Sequence, residues 1–219
     1  MITIQDIKNN SSVKTYIQKA DESLIALGYT EHSFPHVTKV SEMAKYILLT
    51  LGYSKREAEL AQIAGYLHDI GNVINRIDHA QSGAVMAFRI LDRMGADPEE
   101  IATIITAIGN HDEATAVPVN PIAAALILAD KTDVRDTRVR NHDFTQFDIH
   151  DRVNYSVKNS STVINPEKTA IILTLETDSS MGSVMDYFEI FLGRMLLCRK
   201  AAAKLNLRFQ LVINDQELL

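Results

Sequence analysis

The chain has 219 residues, 46% of them hydrophobic and 23% charged, which is enough apolar material for a sizeable core in one domain or one and a half. Its net charge of −6 argues against general nucleic-acid binding, which needs a basic face to release counterions. The longest apolar run, "PIAAALILAD" at 121–130, is far short of the roughly 20 residues a membrane crossing needs.

Along the chain, the first two thirds carry a helical period. Val13, Tyr16, Ile17, Ala20, Leu24 and Leu27 recur at helical spacing before Gly28, and Val37, Val40, Ala44, Ile47, Leu48 and Leu51 do so before Gly52, each run ending on a glycine stop. "SKRE" at 54–57 and "DPEE" at 97–100 place capping residues ahead of further helices, and "NP" at 120–121 opens the apolar helix that ends on Asp130. At least five helices are expected to pack as a bundle. Near residue 150 the period changes: Val153, Tyr155 and Val157, then Ile171, Leu173 and Leu175, alternate as strands do. A helical stretch from about Ser183 to Leu205 and "RFQLVIN" at 208–214 follow. The expected class is mainly α, with a helical bundle over 1–150 and a small strand-strand-helix-strand unit over 151–219. That unit either covers its sheet with its long helix and packs on the bundle, or pairs exposed strand edges between two subunits of a homodimer. The N-terminal "MITIQDIKNN" has neither a basic start nor an apolar core, so cytoplasmic residence is the expectation. Cys198, alone in an apolar helical stretch, reads as a packing residue rather than a nucleophile.

Chemistry concentrates in the histidines. His36, His68, His79 and His111 fall at helix starts or ends beside apolar faces. His32, His142 and His150 lie in polar surroundings and read as ordinary structural residues. Two carboxylates join the first four: Asp69, directly after His68, and Asp130, whose burial without a partner would be costly. Imidazole mixed with carboxylate suits manganese, iron, zinc, nickel or cobalt better than magnesium or calcium. Six ligands drawn from separate helices exceed what one ion with an open position needs, so two divalent transition-metal ions fit better.

His36, the His68-Asp69 doublet inside "HDIG", and the distant Asp130 resemble the four-part signature of the HD-domain superfamily of metal-dependent phosphohydrolases. The resemblance covers roughly residues 30–140 and implies an α-helical bundle with a metal site built from those four residues. His79 in "DHAQSGAVMAFRIL" and His111 in "IGNHDE" resemble the two extra ligands of the binuclear branches. Asp112 stands where the cyclic-dinucleotide phosphodiesterases of that superfamily have a second consecutive histidine, and no "GYP" follows, so the resemblance is to the superfamily and not to that subgroup.

The resemblance implies phosphoester hydrolysis by a metal-activated water, on a nucleotide or similar small phosphorylated substrate. Asp69 is the expected bridging ligand, and Asp69 or Asp112 the expected proton acceptor. Lys131, Arg135 and Arg138 follow Asp130 closely and are expected to bind substrate phosphate, with Lys131 also offsetting charge in the transition state. Two other readings stand beside this one. A non-catalytic regulatory module would lack ligands, and none is missing here; a di-iron oxygenase would not call for the basic residues after Asp130.

Overall fold

The computed structural model describes residues 1–141, 147–181 and 183–219; His142 lies outside them. Among these residues the chain forms nine α-helices and a four-stranded sheet, and no helix is long and apolar enough to cross a membrane.

The helical part runs α1 Ile4–Asn9, α2 Ser11–Ala26, α3 Phe34–Thr50, α4 Lys55–Leu67, α5 His79–Arg93, α6 Pro98–Gly109 and α7 Pro121–Lys131. Local chemistry fixes the helix starts. Ser54 and Glu57 close a reciprocal capping box on α4, Asp97 accepts from the amides of Glu99 and Glu100 at the head of α6, and Asn120 accepts from the Ala123 amide ahead of α7 with Pro121 in its first turn. The expected apolar stripes are the ones buried: Val13, Ile17, Ala20 and Leu24 on α2, and Val37, Val40, Ala44, Ile47 and Leu48 on α3. Leu27, the last residue of the predicted α2 stripe, is instead exposed where the helix ends. Every residue of α7 from Ile122 to Lys131 is buried, and α3, α4, α6 and α9 (Val184–Lys204) all pack against it. Truncating one of its enclosed leucines would cost roughly 2–5 kcal/mol.

The predicted strand at 153–157 is corrected by the structure. Val153 and Tyr155 lie in α8, Ile149–Ser156, where the Asp148 side chain accepts from the Asp151 amide as a cap. The first strand, β1, begins at Val157 and runs to Ile164; β2 is Ala170–Thr177, β3 Arg208–Ile213 and β4 Gln216–Glu217. β1 and β2 pair antiparallel, β2 and β3 pair parallel with α9 as the crossover, and β3 and β4 pair antiparallel. Ile171, Leu173 and Leu175 stand opposite Phe209, Leu211 and Ile213, all buried. α9 packs on β3 with one side and on α7 with another, burying Tyr187, Phe191, Met195 and Cys198. Burial pushes the Cys198 thiol up to about 12, so it packs as a small apolar residue.

Candidate metal centre

The four helix-end histidines converge. His36 lies in the first turn of α3, His68 caps the C-terminus of α4, His79 opens α5, and His111 follows α6 after the capping Asn110. All four are buried, as are Asp69 and Asp130. Nδ1 of His68 donates to Gly65 O at 2.8 Å, that of His79 to Arg76 O at 3.0 Å, and that of His111 to Ile108 O at 2.6 Å. His36 Nδ1 donates instead to Asp133 Oδ2 at 2.8 Å. Each of these bonds assigns the proton to Nδ1 and leaves Nε2 with a lone pair, as a metal-ligating imidazole requires.

Asp69 sits between two histidine pairs. Its Oδ2 is 3.3 Å from His68 Nε2 and 3.7 Å from His36 Nε2, and its Oδ1 is 3.5 Å from His79 Nε2 and 3.9 Å from His111 Nε2. Asn72 donates to Asp69 Oδ1 at 2.9 Å and holds the carboxylate in this orientation. Asp130 turns Oδ1 toward His36 at 3.4 Å and His68 at 3.8 Å, while Lys131 Nζ holds Oδ2 at 2.7 Å.

The donor set fits a cation. His36 Nε2, His68 Nε2 and Asp69 Oδ2 are buried without a hydrogen-bond partner, and a buried polar atom left so costs about 1–3 kcal/mol. His79 Nε2, which also meets Arg76 Nη1 at 3.4 Å, faces His111 Nε2 at 3.2 Å; with both Nδ1 protons given to carbonyls, a cation between the two nitrogens would relieve the contact of their lone pairs. Two groups of ligand atoms lie close enough to share an ion, His36 with His68 and Asp130, and His68 with Asp69 and His111. The electrostatics prepare the same state. Burial holds His79 and His111 below the usual imidazole range, the second well below, with the cationic Arg76 and Lys131 adding to the effect on their respective neighbours. Burial works to raise the Asp69 and Asp130 carboxyls, but His68 beside the first and Lys131 beside the second outweigh it, and both stay well below the carboxylate range.

The glycine of "HDIG" explains how His79 is placed. A Cβ on Gly71 would lie 2.0 Å from His79 O and 2.5 Å from Gly83 N, so the turn after Asp69 touches the backbone of α5 with no room for a side chain. Asp78, before His79, adopts φ 57°, a left-handed conformation that aspartate tolerates.

A cavity of about 370 Å³ opens on this cluster, reaching Asp69, His79, His111, Asp130 and Lys131. Asp112 lines it too, with Oδ1 4.0 Å from His79 Nε2. Arg138 lines it, its guanidinium held by the carbonyls of Glu31 and Asp133 at 2.9 Å each. Arg135 is not brought to the cavity: its guanidinium is engaged by Asp133 and Glu31. His32 and His150, expected to be incidental, both line the cavity, and the His32 ring lies 5.4 Å from that of His36.

Three participants escaped the sequence reading. Asp133, almost wholly buried, binds His36, Lys39 and Arg135. Burial would raise its carboxyl, but the His36 hydrogen bond and the cations around it pull it far below the usual range. Arg76 reaches Asn72 Oδ1 at 3.3 Å and covers the Tyr29 ring at 5.5 Å. Arg194, from α9, also lines the cavity. "DKTD" does carry a signal for Asp133, a second carboxylate one turn past Asp130. Arg194 in an apolar helix carries none that separates it from a snorkelling surface charge.

Residues 33–137 match the family described as HD domain. A crystal structure of a predicted HD superfamily hydrolase from an uncultured Thermotogales bacterium is similar over 57% of this chain and 67% of that one, at 25% identity and a TM-score of 0.44. No curated protein matches the chain.

Proposed function

Because the chain belongs, through residues 33–137, to the HD-domain superfamily of metal-dependent hydrolases, we propose that it is a phosphohydrolase or phosphodiesterase acting on a nucleotide or related small phosphate ester. The observation that carries this reading is the orientation of Asp69, with one oxygen toward His36 and His68 and the other toward His79 and His111. On this reading one ion would be held by His36, His68, Asp69 and Asp130, and a second by Asp69, His79 and His111. The nitrogen and oxygen donors favour iron, manganese, zinc, nickel or cobalt.

Such ions, when bound, supply Lewis-acid charge to phosphoryl oxygens and a water nucleophile at neutral pH. The side chains do the rest. Both oxygens of Asp69 face imidazole nitrogens, so Asp112, a cavity-lining carboxylate outside the ligand set, accepts the proton of the attacking water on Oδ1. Lys131 orients Asp130 through Oδ2 and sets its charge against the substrate phosphate. Arg138, buried and fixed by two carbonyls, is a rigid second cation on the wall.

The test is hydrolysis of a panel of nucleoside monophosphates, cyclic nucleotides, dinucleotides and nitrophenyl phosphate esters by protein loaded with each metal in turn, read as phosphate release for the monoesters and as nucleotide or nitrophenol release for the diesters. Turnover that a chelator abolishes and one of these metals restores is expected. Oxygen consumption without hydrolysis of any ester in the panel would overturn the reading.

A further inference from the structure

The family match ends at residue 137, but the cavity wall does not. Arg194 comes from the middle of α9, in the C-terminal αβ unit, and its Nε donates to Glu113 Oε1 at 2.8 Å. The same Glu113 oxygen receives Lys131 Nζ at 3.6 Å, so one carboxylate holds the two cations side by side. The Arg194 guanidinium lies over the Phe191 ring at 4.4 Å, which fixes its plane. Among the described residues, Nε is the one Arg194 nitrogen that is hydrogen-bonded to the protein. Arg135 and Arg138 differ, because their guanidinium groups are tied into the bundle through Glu31 and Asp133.

Lys131 is also engaged by Asp130 Oδ2 at 2.7 Å, whereas the carboxylate that Arg194 meets is Glu113, on the cavity wall. A guanidinium whose two outer nitrogens are unengaged matches two oxygens of a phosphoryl group. A salt bridge serving only to dock α9 would not need the free fork.

We propose that Arg194 is a substrate-binding residue that takes the phosphate oxygens of the ligand, so that the active site is incomplete without the C-terminal αβ unit. The inference rests on the phosphate-ester reading above.

The test is calorimetric binding of inorganic phosphate to the metal-loaded full chain, in wild type and in Arg194→Ala, Arg194→Lys and Glu113→Gln. Arg194→Ala should weaken phosphate binding roughly tenfold or more, with metal content and melting temperature near those of wild type, and Arg194→Lys should recover part of the loss. Glu113→Gln should tighten binding, because it removes the charge that offsets the two cations. A docking role alone predicts the opposite pattern, with Arg194→Ala and Glu113→Gln both lowering the melting temperature and neither distinguishing itself in phosphate affinity; that result overturns the inference. Equal affinity in wild type and Arg194→Ala also overturns it and leaves the function standing. If the metal-loaded wild-type chain binds no phosphate yet hydrolyses an ester of the panel, the inference fails alone; if it does neither, the functional reading fails and takes the inference with it.

Discussion

Gly71→Ala isolates the contact that places His79. The new Cβ would stand 2.0 Å from His79 O, 2.5 Å from Gly83 N and 2.6 Å from Ser82 Oγ. Ser82 can change rotamer, but the other two atoms are backbone, so relief requires the first turn of α5 to move by about 1.4 Å to regain an ordinary contact. Overpacking of this kind costs about 1–3 kcal/mol, and at about 2–4 °C per kcal/mol for a chain of this size the melting temperature should fall by roughly 2–12 °C. The consequence for the metal is sharper. Ligand distances tolerate only about ±0.2 Å, and His79 is displaced together with the carbonyl that is struck. The variant should therefore keep one ion and lose the other, as read by elemental analysis after gel filtration, beside a thermal melt. Gly109→Ala is the control: its Cβ would meet only Ala84 Cβ, at 3.6 Å, and its melting temperature should hold or rise, because alanine favours helix. Two ions per chain and an unchanged melt in Gly71→Ala would show that the glycine contact does not position His79.

His79→Ala and His111→Ala should each leave about one ion per chain, whereas His68→Ala or Asp69→Ala should remove metal and turnover together, since Asp69 faces both histidine pairs; a His79→Ala protein still holding two ions would strike that residue from the set. Lys131→Ala should lower kcat/KM on an identified phosphate ester by about tenfold to a thousandfold with both ions retained, and a loss of metal instead would mean that the lysine acts only through Asp130. The metal-free chain should lose stability as pH falls below about 6.5. Burial holds His32, His79 and His111 below their ordinary value, so in that window the unfolded chain binds protons that the folded one does not, at up to about 1.4 kcal/mol per pH unit for each group. His68 has the opposite sign: burial opposes but Asp69 raises its pKa, so its contribution is complete below 6.5 and is lost as pH rises. Urea denaturation at pH 7 and pH 5.5 after chelation measures the net effect, and equal or greater stability at pH 5.5 would contradict it.

The bundle and its six converging side chains were legible because both signals are strong. Apolar residues repeat at helical spacing over whole helices, and histidine beside an apolar face is rare enough that four of them at helix ends stand out. α8 was not legible. Val153, Tyr155 and Val157 satisfy a strand period over only five residues, too short a stretch to outweigh the helix cap that Asp148 makes with the Asp151 amide. Arg135 and Arg138 look alike in "KTDVRDTRVR", and only the fold shows that both are held by Glu31 and Asp133 and that Arg138 also lines the cavity while Arg135 does not. Arg194 is further still from prediction, because the helix that carries it meets Glu113 across 81 positions of sequence.

The recurrence of helix ends at this centre has a physical cause. The last carbonyls of a helix have no intrahelical amide to accept from, and they carry the negative end of the helix dipole. His68 and His111, just past α4 and α6, each donate Nδ1–H to the carbonyl three residues back, and His79 does the same with Arg76 at the turn before α5. One bond thus satisfies an orphan acceptor and fixes the tautomer that leaves Nε2 free. His36, in the first turn of α3, makes no such bond to a carbonyl. It depends instead on a side chain, Asp133, and that carboxylate in turn stays ionised while buried through the charges of Arg138 and Lys39 beside the His36 bond. Three of the four imidazoles are therefore set by backbone alone and tolerate change in their surroundings, while the fourth hangs on an ionic network. Mutation around His36 should accordingly disturb the centre from farther away than mutation around the other three.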